Sequence, residues 1–155
     1  MVNTEDWKYL KKIIDDNSIM FKTKVTVQYY EDPLAKVLYS LVVKSINEKG
    51  IFIPLVDLKL LVEDKDRLDK IKIFNYPYEI TNIQDLICHI NSYEDQNISA
   101  TALEKTITDR YLRRKLRDLS NKLKEDLFNS TKSTSELLRR YSTMIDNLMY
   151  STDED

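Results

Sequence analysis

The chain contains a single glycine, Gly50, among its 155 residues, and only three prolines. Glycine supplies the positive φ angles that β-hairpins, tight turns and phosphate-binding loops require. A chain with one glycine can hardly supply the turns of a many-stranded sheet, whereas helices need neither glycine nor proline in their interiors. This scarcity predicts an all-α fold.

The composition is that of a globular protein with a heavily charged surface. Hydrophobic residues make up 42% of the chain and charged residues 32%. A chain of this length buries roughly 68–70% of the surface that its unfolded form exposes, which is enough for a core without disulfides or metals. The net charge is −2. A bulk attraction to nucleic acid is therefore not expected, and we predict that nucleic-acid binding by this chain is weak or absent.

Cysteine usage and hydropathy bear on the compartment. Cys88 is the only cysteine, so no internal disulfide can form and a reducing compartment is expected. No apolar run approaches the ~20 residues of a membrane span, and the first residues lack a basic, signal-type pattern. The sequence predicts a cytoplasmic protein that does not contact membranes.

The first third of the chain reads as two helices joined by a short connection. Thr4 can cap the first helix, and Asn17-Ser18 can end it. Residues 20–30 contain alternating valines, but a lone strand would have no partner, so a loop or short helix is predicted. Asp32-Pro33 has the cap and first-turn proline of a helix start, and Gly50 can end that helix in a left-handed conformation.

Two further helices are expected before residue 92. Ile53-Pro54 opens the first, whose charged continuation extends to Lys72. The pattern breaks over Asn75–Tyr78, and Thr81 can cap a helix that reaches Ile90. These segments complete a predicted compact bundle.

The last third has a different pattern. From Ser99, a candidate cap, to Phe128 there is no glycine or proline, and Ser133 or Thr134 with Glu136 can start a final helix. Leucines on the first of these helices and apolar residues on the second recur at spacings of three and four, which is typical of paired helices. The two should fold back as a long antiparallel hairpin.

The predicted organisation is a bundle over residues 1–96, a hairpin over 97–150 and a linker or tail over 151–155. Two helices cannot bury both of their apolar sides alone, so the remaining side should meet the bundle or another copy of the chain. The candidate interface residues are Leu112, Leu116, Leu119, Leu123, Leu127, Leu138, Tyr141, Ile145 and Leu148. The pattern alone does not separate those that pack within the hairpin from those that pack between chains.

Catalytic and cofactor motifs are absent from the sequence. The chain has neither G-x-x-x-x-G-K-[ST] nor G-x-G-x-x-G, so we expect no ATPase activity, no cofactor and no catalytic residue in it. His89 is the single histidine, and with one cysteine no zinc site can be completed. Cys88 is interpreted as a small core residue, because free cysteines are often buried.

Acidic residues occur in neighbouring pairs that could in principle bind a metal or transfer protons. The pairs are Asp15-Asp16, Glu31-Asp32 and Asp64 with Asp66. Functional carboxylates need a cleft that perturbs them, and these residues lie among other charges at helix ends. We interpret them as solvated surface residues, and no metal site is predicted.

The densest basic run is the candidate for phosphate contact. It contains Arg110, Arg113, Arg114 and Arg117. The interpretation favoured by the overall acidic balance is a solvated helix face, with Asp109 and Asp118 available for ion pairs. Phosphate binding is the alternative, and it predicts steeply salt-dependent DNA binding.

Three stretches together resemble a known family. They are residues 29–50, with an aromatic pair before an amphipathic helix and a turn; residues 53–61, a proline-started helix; and residues 83–98 followed by the helix containing Arg110, Arg113, Arg114 and Leu116. This layout resembles the N-terminal domain of DnaB-type hexameric replicative DNA helicases, particularly those of bacteriophages. The resemblance covers roughly Tyr29 to Met149 and consists mainly of apolar pattern and layout.

The resemblance implies a fold and a role. Such domains have a globular helical head and a hairpin, and hairpins of neighbouring subunits pair to build a ring collar that supports primase and helicase-loader contacts. The ATPase motor would then follow this chain beyond a linker. The expected function is non-catalytic assembly and partner docking. The alternative is a free-standing small helical adaptor or inhibitor that binds a host protein.

Overall fold

The computed structural model describes residues 4–63, 83–95, 97–129 and 131–153. The predicted helix continuation to Lys72, the break at Asn75–Tyr78, the cap at Thr81 and the acidic pair of Asp64 and Asp66 lie outside this part of the chain.

Within the described ranges the chain forms α-helices, short 3₁₀ turns and loops, and no strand, so the all-α prediction is confirmed. The six α-helices are α1 (Thr4–Asp15), α2 (Pro33–Lys49), α3 (Pro54–Glu63), α4 (Ile83–Asn91), α5 (Ala100–Asn129) and α6 (Thr134–Asp153).

The chain divides into two compact units, which we call the head (Met1–Ile107) and the distal unit (Thr108–Asp155). This division lies inside α5, whereas the sequence placed it before the helix. The reason is packing, since Leu103 and Ile107 in the first turns of α5 are buried with the head. The distal unit therefore contains the rest of α5 and all of α6.

The connection between α1 and α2 contains two 3₁₀ helices, Asn17–Phe21 and Val27–Tyr29. The prediction of a loop or short helix there is confirmed. Asn17 ends α1 by donating a hydrogen bond to the carbonyl oxygen of Ile13 at 2.8 Å, while its own side-chain oxygen accepts the Phe52 N–H at 2.8 Å. One side chain thus links the end of α1 to the segment before α3.

The head is built around α1, which packs against α2 and α4, while α3 packs against α4. Its core is aromatic and aliphatic. The largest fully buried side chains described there are Trp7, Tyr9, Tyr30, Tyr39, Leu10, Ile13, Leu38, Leu58, Leu86, Ile107 and Val42. Burying side chains of this kind contributes roughly 1.5–3 kcal/mol each, so this cluster is the main source of the head's stability.

Buried carboxylates connect α1 to the start of α2. Asp6 accepts the backbone N–H groups of Glu31 and Asp32, each at 2.9 Å. Asp32 caps α2 by accepting the N–H groups of its first turn and also accepts the indole N–H of Trp7 at 3.0 Å. Asp32 is therefore a buried structural residue, and its interpretation as a solvated acidic group was wrong. A fully hydrogen-bonded carboxylate can remain buried because its donors replace water.

A second polar cluster attaches the first turns of α5 to the head. Glu104 accepts the Tyr9 hydroxyl at 3.2 Å and the Lys24 N–H at 3.1 Å. Tyr9 also hydrogen-bonds to Thr23. Burial raises the pKa of Tyr9 well above its ordinary range, and the neighbouring Glu104 charge acts in the same direction. The phenol therefore remains a neutral donor.

Candidate protein interaction surface

The face of α6 that meets α5 is defined by burial and by one hydrogen bond. Leu137 and Tyr141 are buried, and Met144 and Leu148 are half-buried. The Tyr141 hydroxyl donates to the carboxylate of Asp126 on α5. These four α6 positions recur at spacings of four, three and four, so they share one side of the helix.

Between the middle of α5 and the second half of α6, residues of both helices line a groove. The groove residues are Lys115, Asp118, Leu119, Asn121, Lys122, Met144, Asn147 and Leu148. Asp126 near the end of α5 thus faces Tyr141 in the first half of α6, while Leu119 lies near Leu148. The order of these contacts is antiparallel.

A second apolar row on α6 does not face α5. Leu138, Ile145 and Met149 recur at spacings of seven and four. Each follows by one position a residue of the face that meets α5, which we call the inner face, and is therefore displaced from that residue by about 100° around the helix axis. On α5, Leu112, Leu119 and Leu123 are half-buried, whereas Leu116 and Leu127 are exposed. The exposed fractions of the five outer side chains are Leu116 47%, Leu127 57%, Leu138 65%, Ile145 42% and Met149 57%.

These five residues lie on one side of the distal unit. On both helices the exposed row is displaced from the contacting face in the same rotational sense, by roughly 90° on α6 and roughly 50° on α5. Because the two helices contact one another in antiparallel order, displacements of the same sense point to the same side of the pair. We call Leu116, Leu127, Leu138, Ile145 and Met149 the apolar stripe.

The structure thus assigns the candidate interface residues of α6, which the sequence did not distinguish, to two different faces of the helix. Tyr141 and Leu148 belong to the inner face, Leu138 and Ile145 to the stripe. Leu137, Met144 and Met149 were not named from the sequence. The sequence signal for them was present, because apolar residues at three-and-four spacing begin at Leu137 as well as at Leu138.

The four arginines proposed for phosphate contact lie on α5 in the distal unit. Arg113 forms an ion pair with Asp109 at 2.8 Å, as the sequence suggested, and both side chains are largely exposed, at 76% and 62%. The guanidinium carbon of Arg114 lies 5.4 Å from the ring centroid of Tyr111, in cation–π geometry. Arg117 is exposed and Arg110 half-buried.

The adjacent pair Cys88 and His89 lies on α4 of the head. Cys88 is exposed, so its interpretation as a core residue was wrong. Leu86 and Ile90 define the buried side of α4, and residue 88 lies roughly 180° from their midpoint. The His89 ring instead contacts Trp7 edge-on, with centroids 4.4 Å apart, and Tyr93 at 5.1 Å. Burial lowers the pKa of His89, and the charge of Asp32 opposes that shift.

Another carboxylate is buried at the start of α3. Asp57 accepts a hydrogen bond from the Ile53 N–H at 2.8 Å and forms an ion pair with Lys49. Burial alone raises the pKa of Asp57, but these donors outweigh it and hold the pKa below its ordinary value. Among the residues that the structure describes, no group of three or more histidine, cysteine or acidic side chains has the arrangement of a metal site.

None of the helices in the described ranges combines the length and apolar character needed to cross a membrane.

No protein-family model, curated protein or solved structure matches the chain.

Proposed function

We propose that this chain is a non-catalytic assembly and partner-docking domain that self-associates through its distal unit, α5 and α6 forming an antiparallel hairpin. The observation that carries the assembly part is the apolar stripe, with five large apolar side chains on one side of two contacting helices. Large apolar side chains that are exposed together on one side of a surface are typical of interaction sites.

The size of the stripe face suits a second copy of the chain. The 20 residues of α6 give a length of about 30 Å, and two helices side by side are about 20 Å wide. The face thus offers roughly 600 Å², against about 800 Å² per partner in a stable complex of standard size. A two-fold pairing of stripe on stripe would form a four-helix arrangement in which each stripe is covered by the other.

We further propose that the parent protein is a DnaB-type replicative DNA helicase in the cytoplasm, with primase or a helicase loader as additional partners. This part rests on the sequence resemblance of residues 29–50, 53–61 and 83–116 alone. It is tested by reading the native gene beyond codon 155 for G-x-x-x-x-G-K-[ST]. An open reading frame without that motif would leave the free-standing adaptor as the better reading.

The self-association is tested by light scattering coupled to size exclusion. The wild-type chain should elute as a dimer or larger assembly, and Leu138→Asp and Ile145→Asp should each shift it to the monomer mass. A charge in the centre of the paired stripes would be buried without a partner. Because both side chains are exposed within one chain, the variants should keep their helical circular dichroism.

Thr143→Asp is the matched control. Thr143 is exposed on the same helix, two residues from Ile145 and therefore roughly 160° away around the axis. The Thr143→Asp variant introduces the same charge as Ile145→Asp, but outside the stripe, and should leave the mass of the assembly unchanged. A wild-type chain that stays monomeric at high concentration, or a control that dissociates as readily as Ile145→Asp, would refute pairing through the stripe.

A further inference from the structure

We propose that one face of α5 binds the phosphate backbone of a single-stranded nucleic acid through a row of arginines that ends in an exposed phenylalanine. The row comprises Arg110, Arg113, Arg114, Arg117, Lys124 and Phe128. This goes against the sequence-based expectation that the arginines form an ordinary solvated face.

Helical geometry places the row on one side of α5. Arg110, Arg113, Arg114 and Arg117 are spaced at i, i+3, i+4 and i+7 within a continuous helix, so they fall within roughly 100° of arc. Lys124 and Phe128 continue the same side. Asp109 and Asp118 lie roughly 40° outside the two margins of this arc, and Glu125, next to Lys124, lies roughly 20° outside it.

Local charge can act where net charge does not. The whole chain carries −2, so long-range steering of a polyanion is weak. Contact with phosphate depends on nearby donors, and arginine presents a planar fork that matches phosphate oxygens. Both side chains of the Arg113–Asp109 ion pair are exposed to solvent. Exposed ion pairs are weak enough for a phosphate to replace the carboxylate.

Phe128 distinguishes a nucleic-acid strand from an acidic protein segment. Its side chain is 88% exposed at the end of the row, on the same side as Arg117 and Lys124. An exposed aromatic ring beside a basic track is the arrangement on which unpaired bases stack. From Arg110 to Phe128 the row is about 27 Å long, which is enough to follow several consecutive phosphates of one strand.

The row and the apolar stripe are separate surfaces of the distal unit. Leu116 and Leu127 lie roughly 100° round α5 from the centre of the row. Self-association through the stripe would therefore leave the row accessible. The two proposals can fail independently, because one is measured as molecular mass and the other as binding of nucleic acid.

The test is fluorescence anisotropy of the full chain with a labelled thymidine oligonucleotide of about 20 nucleotides, over a series of salt concentrations. Arg113→Gln with Arg117→Gln should weaken binding about tenfold or more at low salt. It should also reduce the slope of log Kd against log salt by about 1.4, since two phosphate contacts are lost. Phe128→Ala should weaken binding on the order of tenfold with little change in the slope.

Matched controls are available on α6. Arg139→Gln with Arg140→Gln removes the same charge from exposed positions, and Tyr150→Ala removes another exposed ring. Both should leave Kd within about twofold. Equal losses in the row variants and the controls, absence of binding at about 50 mM salt, or a polyglutamate peptide that competes as effectively as the oligonucleotide would each overturn the proposal. The last outcome would instead indicate an acidic protein partner.

Discussion

At the scale of single residues, burial and hydrogen bonding decide roles that residue type does not. Asp6 and Asp32 are both acidic residues buried in the head, and each accepts hydrogen bonds from backbone N–H groups. Cys88, an amino acid that is often buried, is exposed because it lies opposite Leu86 on α4. The functional state of a side chain therefore depends on which side of its helix faces the core.

Asp32→Ala should destabilise the head by about 2–4 kcal/mol. The change removes the α2 cap, which contributes about 0.5–2 kcal/mol, and leaves the buried Trp7 indole N–H without its acceptor, which costs about 1–3 kcal/mol. Urea unfolding followed by Trp7 fluorescence measures the loss. Asp16→Ala is the control, because Asp16 caps a 3₁₀ helix from an exposed position, and it should cost less than about 1 kcal/mol.

His89 should make stability depend on pH near neutrality. Burial lowers its pKa in the folded state, so the unfolded chain binds more protons at pH values between the folded pKa and the unfolded value of about 6.5. The contribution of His89 to the free energy of unfolding should therefore be fully present above the unfolded pKa. It should be lost as pH falls from that value through the lower, folded pKa. Urea unfolding at about pH 7.5 and about pH 5.5 should show a smaller difference for His89→Gln than for the wild type. Equal differences in the two proteins would contradict this.

At the scale of elements, the ends of the helices follow local chemistry. Asp32 and Pro33 start α2, and Gly50 ends it at φ 78°. Ser99 accepts the Ala102 N–H at 3.1 Å at the start of α5, and Ser133 accepts the Glu136 N–H at 3.2 Å at the start of α6. Each of these caps satisfies an N–H group or carbonyl that a helix end leaves unpaired.

Gly50→Ala tests the backbone requirement at the end of α2. A methyl group at this position would meet no atom within 4 Å, so the expected loss of about 1–2 kcal/mol comes from the left-handed conformation alone. Gly50→Asn should cost less, because asparagine tolerates that conformation. Thermal or urea unfolding of the two variants provides the comparison. An alanine variant as stable as the wild type would mean that the turn relaxes to another conformation.

At the scale of the whole molecule, the hydrophobic core and the candidate binding surfaces are in different units. The buried hydrophobic residues of the described chain belong to the head, apart from Leu137 and Tyr141. The apolar stripe and the arginine row belong to the distal unit. Stability and assembly should therefore be separable.

A fragment of residues 1–112, one turn longer than the head, should fold cooperatively and remain monomeric. It contains the aromatic core and the Glu104 contacts but only one residue of the candidate interface. Its Trp7 emission should be that of a buried indole and should shift in a single urea transition. An emission typical of exposed tryptophan in native buffer would show that the head needs the distal unit. Retained self-association would place the interface in the head.

Much of the fold follows from local sequence rules. The scarcity of glycine predicted an all-α fold, the caps marked helix ends, and the three-and-four spacing of apolar residues predicted helices with an apolar face. These signals are local because a helix forms its hydrogen bonds within its own segment. The same rules placed the four arginines together on one helix as a single candidate set, since their positions on α5 are set by the helical repeat.

The assignment of each apolar residue to a partner was decided by the tertiary structure. Sequence spacing placed Leu138 and Tyr141 in one row, yet Tyr141 faces Asp126 on α5 and Leu138 is exposed. The apolar residues from Leu137 to Met149 span roughly 140° of the circumference of α6, which is wider than one contact face, and only the rotation of α6 against α5 selects the part that is covered. The burial of Asp32 likewise depends on Trp7, 25 residues away. Local sequence determines which segments are helical, and contacts between distant segments determine which of their faces remain available for binding.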